Sequence, residues 1–444
     1  MPGVPEEARP AVALQVRPRA RAQPVPGAAS VSLRGAPARP EHQGIATETP
    51  LQTYDLFAPT TEVERHALYA RMRAESGLCR IAPFGAYAAS RYEDVRAVQK
   101  DAQRFSSEAL ATTAEPSWLG PNPVAQSLVT RDPPRHTQLR AMINRAFGPT
   151  GMARLEAQVR HEAQTLAEAA VSQREVDLVD TFSFVLPRNI IGRMLGLEPS
   201  TFTEFKRWSV NMGLITSAVP AQHAGIRDTV KEMEDYLGGV ITARRRQPGE
   251  DMVSDLLRAE VEGQRLTDAE VLSFLFLLLP AGMETTAQLI GNAAILLARY
   301  PEQLEQARAD RAHIPRFIEE VLRCEPPAQF AFRVAMSDVE LSGTPIPAGS
   351  LVMGLVGSAN RDERVFEQPD AFLPGRDKAS QHLSFGHGIH FCLGAQLARM
   401  EARLALEALV PRIRALRLRT PDIEWLPGLT IHGPRTLPVK LLPA

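Results

Sequence analysis

Cys392 closes a stretch of glycine and aromatic residues, Phe385-Gly386-His387-Gly388-Ile389-His390-Phe391-Cys392-Leu393-Gly394, and a helix-forming run, Ala395 to Leu409, follows at once. A thiol at a helix N-terminus faces unpaired N–H groups and the positive end of the helix dipole, which favour negative charge on sulfur. The glycines allow tight turns and let a flat, bulky ligand approach the backbone. Phe385 and Phe391 would keep such a pocket dry. No second cysteine or ligand cluster lies nearby, so the stretch does not make a zinc or iron–sulfur site. A single thiolate suits the one protein bond to a haem iron.

A second run sets an acid and an alcohol inside a hydrophobic helix: Leu277-Leu278-Leu279-Pro280-Ala281-Gly282-Met283-Glu284-Thr285-Thr286. A helix this apolar all round must be buried. Pro280 removes a backbone hydrogen bond, Gly282 adds little propensity, and threonines bond back to helix carbonyls. Together they predict a local kink or widened groove. A carboxylate beside a hydroxyl there is costly without partners or a task. The task that fits is a proton path, with Glu284 exchanging protons with solvent and Thr285 holding a water.

The elements that must position these groups are mostly helical. Thr61-x-x-Glu64 is a capping box opening a helix to about Ala74. Strand-like pieces follow at Leu78–Pro83 and Ala86–Ser90, then a Pro/Gly/Ser-bearing loop over 106–131. From Pro133 to about Leu297 helical periodicity dominates. After Arg323 strands return, at Val339–Leu341 and Leu351–Leu355. The expected fold is mainly α with small β-sheets, in one large domain over 49–444. Residues 1–48, rich in Pro, Ala and Arg, read as a disordered extension, with a transit peptide as the alternative.

A chain of 444 residues can bury a large core, and a net charge of −1 gives no global reason to expect nucleic acid or an anionic membrane. Three cysteines (Cys79, Cys324, Cys392) are too few and odd for a disulfide framework and fit a reducing, cytoplasmic setting. The longest apolar run, Val271 to Met283, falls short of the roughly 20 residues needed to span a bilayer, so no membrane span is expected.

The spacing Phe-x-x-Gly-x-His-x-Cys-x-Gly resembles the haem-ligand loop of the cytochrome P450 family, which more often carries Arg where His390 stands. The resemblance covers about residues 55 to 442. It implies a cytochrome P450 fold with haem b bound by Cys392, Phe385, Gly386, Gly394 and Ala281. The acid–alcohol run is similar to the family's oxygen-binding groove, with Glu284 and Thr285 as the catalytic pair; Pro280 departs from that pattern. Glu320-Val321-Leu322-Arg323 resembles the family's ion-pair brace, with Arg376 as third member. Asp132-Pro133-Pro134-Arg135-His136-Thr137-Gln138-Leu139-Arg140 resembles the helix crossing the haem edge, so His136, Arg140, Arg333 and His390 are implied partners of the haem propionates.

The implied activity is that of a monooxygenase inserting one oxygen atom from O2 into a lipophilic small molecule, by hydroxylation or epoxidation, in secondary metabolism. Electrons would come from NAD(P)H through a ferredoxin reductase and a ferredoxin, steered by Arg135, Arg145, Arg399 and Arg403. Peroxide-driven oxidation or oxidative coupling is the alternative; a non-catalytic haem sensor is the third. By position the substrate pocket would take Trp118, Leu119, Leu277, Pro280, Phe330, Ala331, Leu429, Thr430 and Ile431, with the loop at 111–124 gating entry.

Overall fold

The computed structural model describes residues 51–59, 61–82, 85–111, 115–146, 149–215, 219–426 and 430–444. The extension expected at 1–48 lies outside them, as does Leu429.

The main sheet has six strands in the order β1 (Thr53–Asp55), β2 (Leu78–Ala82), β3 (Ala86–Ala89), β11 (Leu351–Leu355), β8 (Phe330–Ala335) and β4 (Phe105–Ser106). β3 runs parallel to β11, and β11 antiparallel to β8, setting Arg333 opposite Val352. A second sheet joins β12 (Ile413–Leu418), β13 (Pro438–Pro443) and β5 (Glu175–Asp177). Hairpins β6 (Glu260–Val261)–β7 (Gln264–Arg265) and β9 (Val339–Leu341)–β10 (Thr344–Ile346) complete the β structure among the described residues.

The helices carry the bulk of the core. Those of seven residues or more are α1 (Glu62–Glu75), α2 (Tyr92–Lys100), α3 (Arg135–Ala146), α4 (Pro149–Gln173), α5 (Val185–Met194), α6 (Phe202–Gly213), α7 (His223–Arg246), α8 (Met252–Arg258), α9 (Asp268–Arg299), α10 (Pro301–Ala309), α11 (His313–Cys324) and α12 (Ala395–Leu409). Thr61 caps α1 as its sequence predicts: its hydroxyl accepts from the Glu64 amide at 3.2 Å, and Glu64 accepts from the Thr61 amide at 3.3 Å. Thr267 and Glu270 start α9 in the same way, at 3.2 and 3.0 Å.

α9 is the axle of the fold, packed by α5, α6, α7, α11 and α12. Its 32 residues make it long and apolar enough, by length and composition, to cross a membrane, a possibility that counting only the run to Met283 missed. Its apolar side chains instead form the main core of the chain. Gly282 permits the close approach of α5, since a Cβ there would lie 2.7 Å from Ile191 Cδ1. The expected disruption at Pro280 does not interrupt the helix, which is continuous from Asp268 to Arg299. The loop expected at 106–131 holds short 3-10 turns, and one of them, Pro123–Gln126, sits on α9, where Ser273 Oγ donates to the Pro123 carbonyl at 2.6 Å.

Candidate active site

The Cys392 loop turns on two glycines in left-handed backbone, Gly386 at φ +76° and Gly388 at φ +77°. The turn returns the chain so that the Cys392 amide donates to the Phe385 carbonyl at 2.8 Å. α12 starts at Ala395, as read from sequence, with Gly394 as its N-cap. Nothing lies within 4 Å of the point where a Gly394 Cβ would be, so this wall of the loop is open to a broad ligand.

Cys392 is accessible to solvent, yet protein crowds its thiol. It therefore lines a cleft rather than the outer surface. Burial pushes the thiol up, and the Gly394 amide, Arg140 and Arg399 pull it down less strongly. The helix N-terminus favours the thiolate as expected, through the Gly394 amide, while burial opposes it more strongly. Phe385 lies under the Arg399 guanidinium, 4.4 Å from its ring centre. Phe391, expected to help dry the pocket, is 42% exposed.

Beside the cysteine loop the structure gathers His136 and Arg140 of α3, Arg333 of β8 and His390. The two imidazoles stand 4.3 Å apart. Arg140 Nη1 reaches the Ile389 carbonyl at 3.5 Å. Burial, then Arg333, His136 and Arg140, push His390 down to about 3. Burial and the same arginines also lower His136. Both ring nitrogens of buried His136, and Nε2 of His390, have no hydrogen-bond partner. Buried nitrogens left without acceptors are costly. Two imidazoles and two guanidiniums crowded in this way fit a dianionic rim such as the paired carboxylates of haem b.

The brace residues meet. Glu320 Oε2 and Oε1 accept from Arg323 Nε and Nη2 at 2.9 and 2.8 Å, and Oε1 accepts from Arg376 Nε at 3.3 Å. Arg323 donates to the carbonyls of Asn360, Pro369 and Ala371 at 2.8–3.0 Å. The link from brace to cysteine loop runs through residues to which sequence reasoning assigned no such part: Asn360 accepts from the Leu383 amide at 2.7 Å and donates to Ser384 at 2.8 Å. Asp132 was missed too; it accepts from Ser106 and from the Ser107 amide, pinning the start of α3 to β4.

On α9, Thr285 Oγ1 donates to the Ala281 carbonyl at 2.6 Å. Ala281 is exposed, while Leu279 and Met283, on the other face of the helix, are buried. Glu284 is half-buried and accepts from Ser209 Oγ of α6 at 3.1 Å. Burial lifts its carboxyl above the ordinary range, opposed by that hydroxyl.

The pocket candidates divide. Trp118 stacks on His223 with ring centres 3.9 Å apart, and its carbonyl accepts from Arg227 at 3.1 Å, fastening the long loop to the start of α7. Leu119, Leu277 and Pro280 are half-buried. Side chains alternate along β8, so Ala331 shares the Arg333 face, while Phe330 points the other way into a satellite core with Tyr69, Met353 and Leu355. Ile431 bridges Ala328, and the exposed Thr430 offers its carbonyl to the Gln329 amide at 2.9 Å. The four arginines expected to steer a redox partner are all engaged. Arg135 pairs with Glu270, Arg399 with Glu319 at 2.6 Å, and Arg403 with Glu156 and Glu407 at 2.9 Å, while Arg145 donates to the Glu260 carbonyl at 2.6 Å. A separate group, Glu62, Glu325 and His432, has metal-ligand spacing, but Arg65 is 2.9 and 3.0 Å from the His432 ring nitrogens and Arg361 pairs with Glu325 at 3.1 Å, making an ion-pair network.

Among known proteins, the family described as cytochrome P450 matches residues 86–422. The erythromycin C-12 hydroxylase of Saccharopolyspora erythraea is 37% identical over 363 residues, covering 80% of this chain and 89% of that protein. The structure of cytochrome P450 CYP109Q5 from Chondromyces apiculatus is similar with a TM-score of 0.80 at 40% identity, covering 88% of this chain and 99% of that one. CYP109E1 from Bacillus megaterium, solved in complex with testosterone, gives a TM-score of 0.75 at 31% identity, covering 85% and 99%. Likeness in sequence and in fold runs through nearly all of the described residues, and the chain belongs to the cytochrome P450 family.

Proposed function

We propose that the protein is a haem-thiolate monooxygenase that hydroxylates or epoxidises a lipophilic small molecule of secondary metabolism in the cytoplasm. One atom of O2 enters the substrate and the other leaves as water, using a pair of electrons and a pair of protons. The electrons come from NAD(P)H through a ferredoxin reductase and a ferredoxin. The observation that carries the reading is the set of unpartnered, buried imidazole nitrogens beside the cysteine loop, which calls for an anionic ligand next to a thiol. The hydroxylase and the testosterone complex among the relatives support the reaction and the lipophilic substrate.

Haem b, when bound, supplies the activation and cleavage of dioxygen. Cys392 would ligate its iron, and His136, Arg140, Arg333 and His390 would hold its propionates. The brace of Glu320, Arg323 and Arg376 keeps the cysteine loop in register through Asn360 and Ser384. Glu284 carries protons inward: burial raises its carboxyl above the ordinary range and so makes it readier to take up a proton than an exposed glutamate. Thr285, bonded to the Ala281 carbonyl, hands them on. Leu277, Pro280, Ala331 and Ile431 form apolar walls, and the Trp118 loop covers the entrance.

The test is oxygen- and NAD(P)H-dependent turnover of a lipophilic panel with surrogate ferredoxin and reductase. Turnover with peroxide alone and none with reductant would favour the peroxide-using alternative; no consumption of NAD(P)H with any compound would favour a sensor.

A further inference from the structure

Glu284 is tethered to another helix by one neutral hydrogen bond. Ser209 is 2% exposed and lies on the buried face of α6 with Phe205, Trp208 and Met212, packed against α9. Among the described residues, the polar group that bonds the Glu284 carboxyl is this serine, and no charged side chain contributes to its shift. Apart from Glu401, the following ionisable groups of the surrounding helices are engaged or turned outward. On α5, Arg193 pairs with Glu162 at 2.9 Å and Arg188 bonds Asn189 at 3.1 Å. On α6, Lys206 pairs with Asp180, and Arg207 with Glu204 and Glu232, at 2.6–2.9 Å. Asp228, Lys231, Glu234 and Asp235 of α7 are exposed. On α11 and α12, Glu319, Glu320, Arg323, Arg399 and Arg403 pair among themselves or with Arg376, His382, Glu156 and Glu407, while Glu401 is buried alone.

A hydroxyl differs from a cation in one decisive respect. It donates to a carboxylate and accepts from a carboxylic acid, so it stays bonded in both protonation states, whereas lysine or arginine can hold only the anion. Resting on the reading of Glu284 as the proton carrier, we propose that Ser209 is the positioning residue of the proton path, fixing the Glu284 carboxyl at the α6–α9 contact through the whole cycle of proton uptake and release. Burial raises the Glu284 carboxyl, and the Ser209 donor opposes that rise.

Difference infrared spectroscopy of the full chain, with the Glu284 carboxylic acid band identified by its disappearance in Glu284→Gln, tests this without turnover. In Ser209→Ala the band moves to that of a free carboxyl and its titration midpoint rises by about one pH unit. In the haem-loaded protein, Ser209→Ala lowers product formed per NAD(P)H at neutral pH by up to about tenfold. It also shifts the pH profile upward, and Ser209→Thr restores both. A band and profile unmoved in Ser209→Ala, or a loss that Ser209→Thr does not restore, overturns the proposal. Undiminished oxygen-dependent turnover in Glu284→Gln overturns the reading of Glu284 itself.

Discussion

Arg323 grips Glu320 with two parallel bonds, at 2.8 and 2.9 Å, and neither side chain has any exposed surface. This fork geometry is the one in which a buried guanidinium loses least on leaving water. Arg323 also lies 5.4 Å from the centre of the Phe366 ring, and its remaining donors fasten the carbonyls of a long irregular segment. The pair is therefore a hub for backbone that has no strand or helix of its own.

Replacing Glu320 by Ala leaves a fully buried guanidinium unpaired. The expected cost is about 3–5 kcal/mol in denaturant unfolding, and Arg323→Lys, which keeps the charge but loses the fork, also destabilises. A loss below about 1 kcal/mol for Glu320→Ala would mean that the surrounding carbonyls alone satisfy Arg323.

The imidazole pair should show opposite effects on stability and on cofactor retention. Substituting both His136 and His390 with Leu removes nitrogens that are buried without partners. The haem-free protein is expected to gain about 1–3 kcal/mol in thermal or denaturant unfolding. Haem transfer to an acceptor protein should meanwhile quicken. Faster unfolding of the haem-free variant would contradict the account of the donor cluster.

Cys392→Ser should abolish the red-shifted carbon monoxide band of the reduced, haem-loaded protein. Persistence of that band would show that the iron is held by another residue.

Glu401 gives a pH signature. It is fully buried on α12, neither carboxyl oxygen has a partner, and burial alone pushes it up to about 8 from an ordinary 4.5. The folded state thus holds this proton more tightly than the unfolded chain. Its contribution to stability is complete below about 4.5 and is lost as pH rises through about 8. Glu401→Gln mimics the protonated form, so the variant should outlast the parent increasingly over that window, by on the order of 4 kcal/mol at its upper end. Parallel stability profiles for the two proteins would rule this out.

What could be read from residues alone was local. The capped start of α1, the Glu320–Arg323 pair one helical turn apart, the turn glycines and the helix after Cys392 all depend on neighbours a few positions away. Ser209 could not be found so, because it stands 75 positions from Glu284 and meets it only when α6 packs on α9. Asn360 and Ser384 are joined across 24 positions in the same way. The opposing effect of burial on Cys392 could not be read, because the helix end is visible in sequence and the depth of burial is not. Phe330 is different: strand alternation from Arg333 was available and would have sent it to the core. Pro280 is accommodated within an unbroken α9.

The pairing of the arginines around the cysteine loop has a kinetic consequence. Arg399 and Arg403, each answered by a nearby carboxylate, cast little field beyond a Debye length, about 8 Å in physiological salt. An electron donor diffusing toward Arg399 and Arg403 would be guided only over the last few ångströms. Encounter would then depend weakly on ionic strength, and recognition would rest on how the two surfaces fit once they touch.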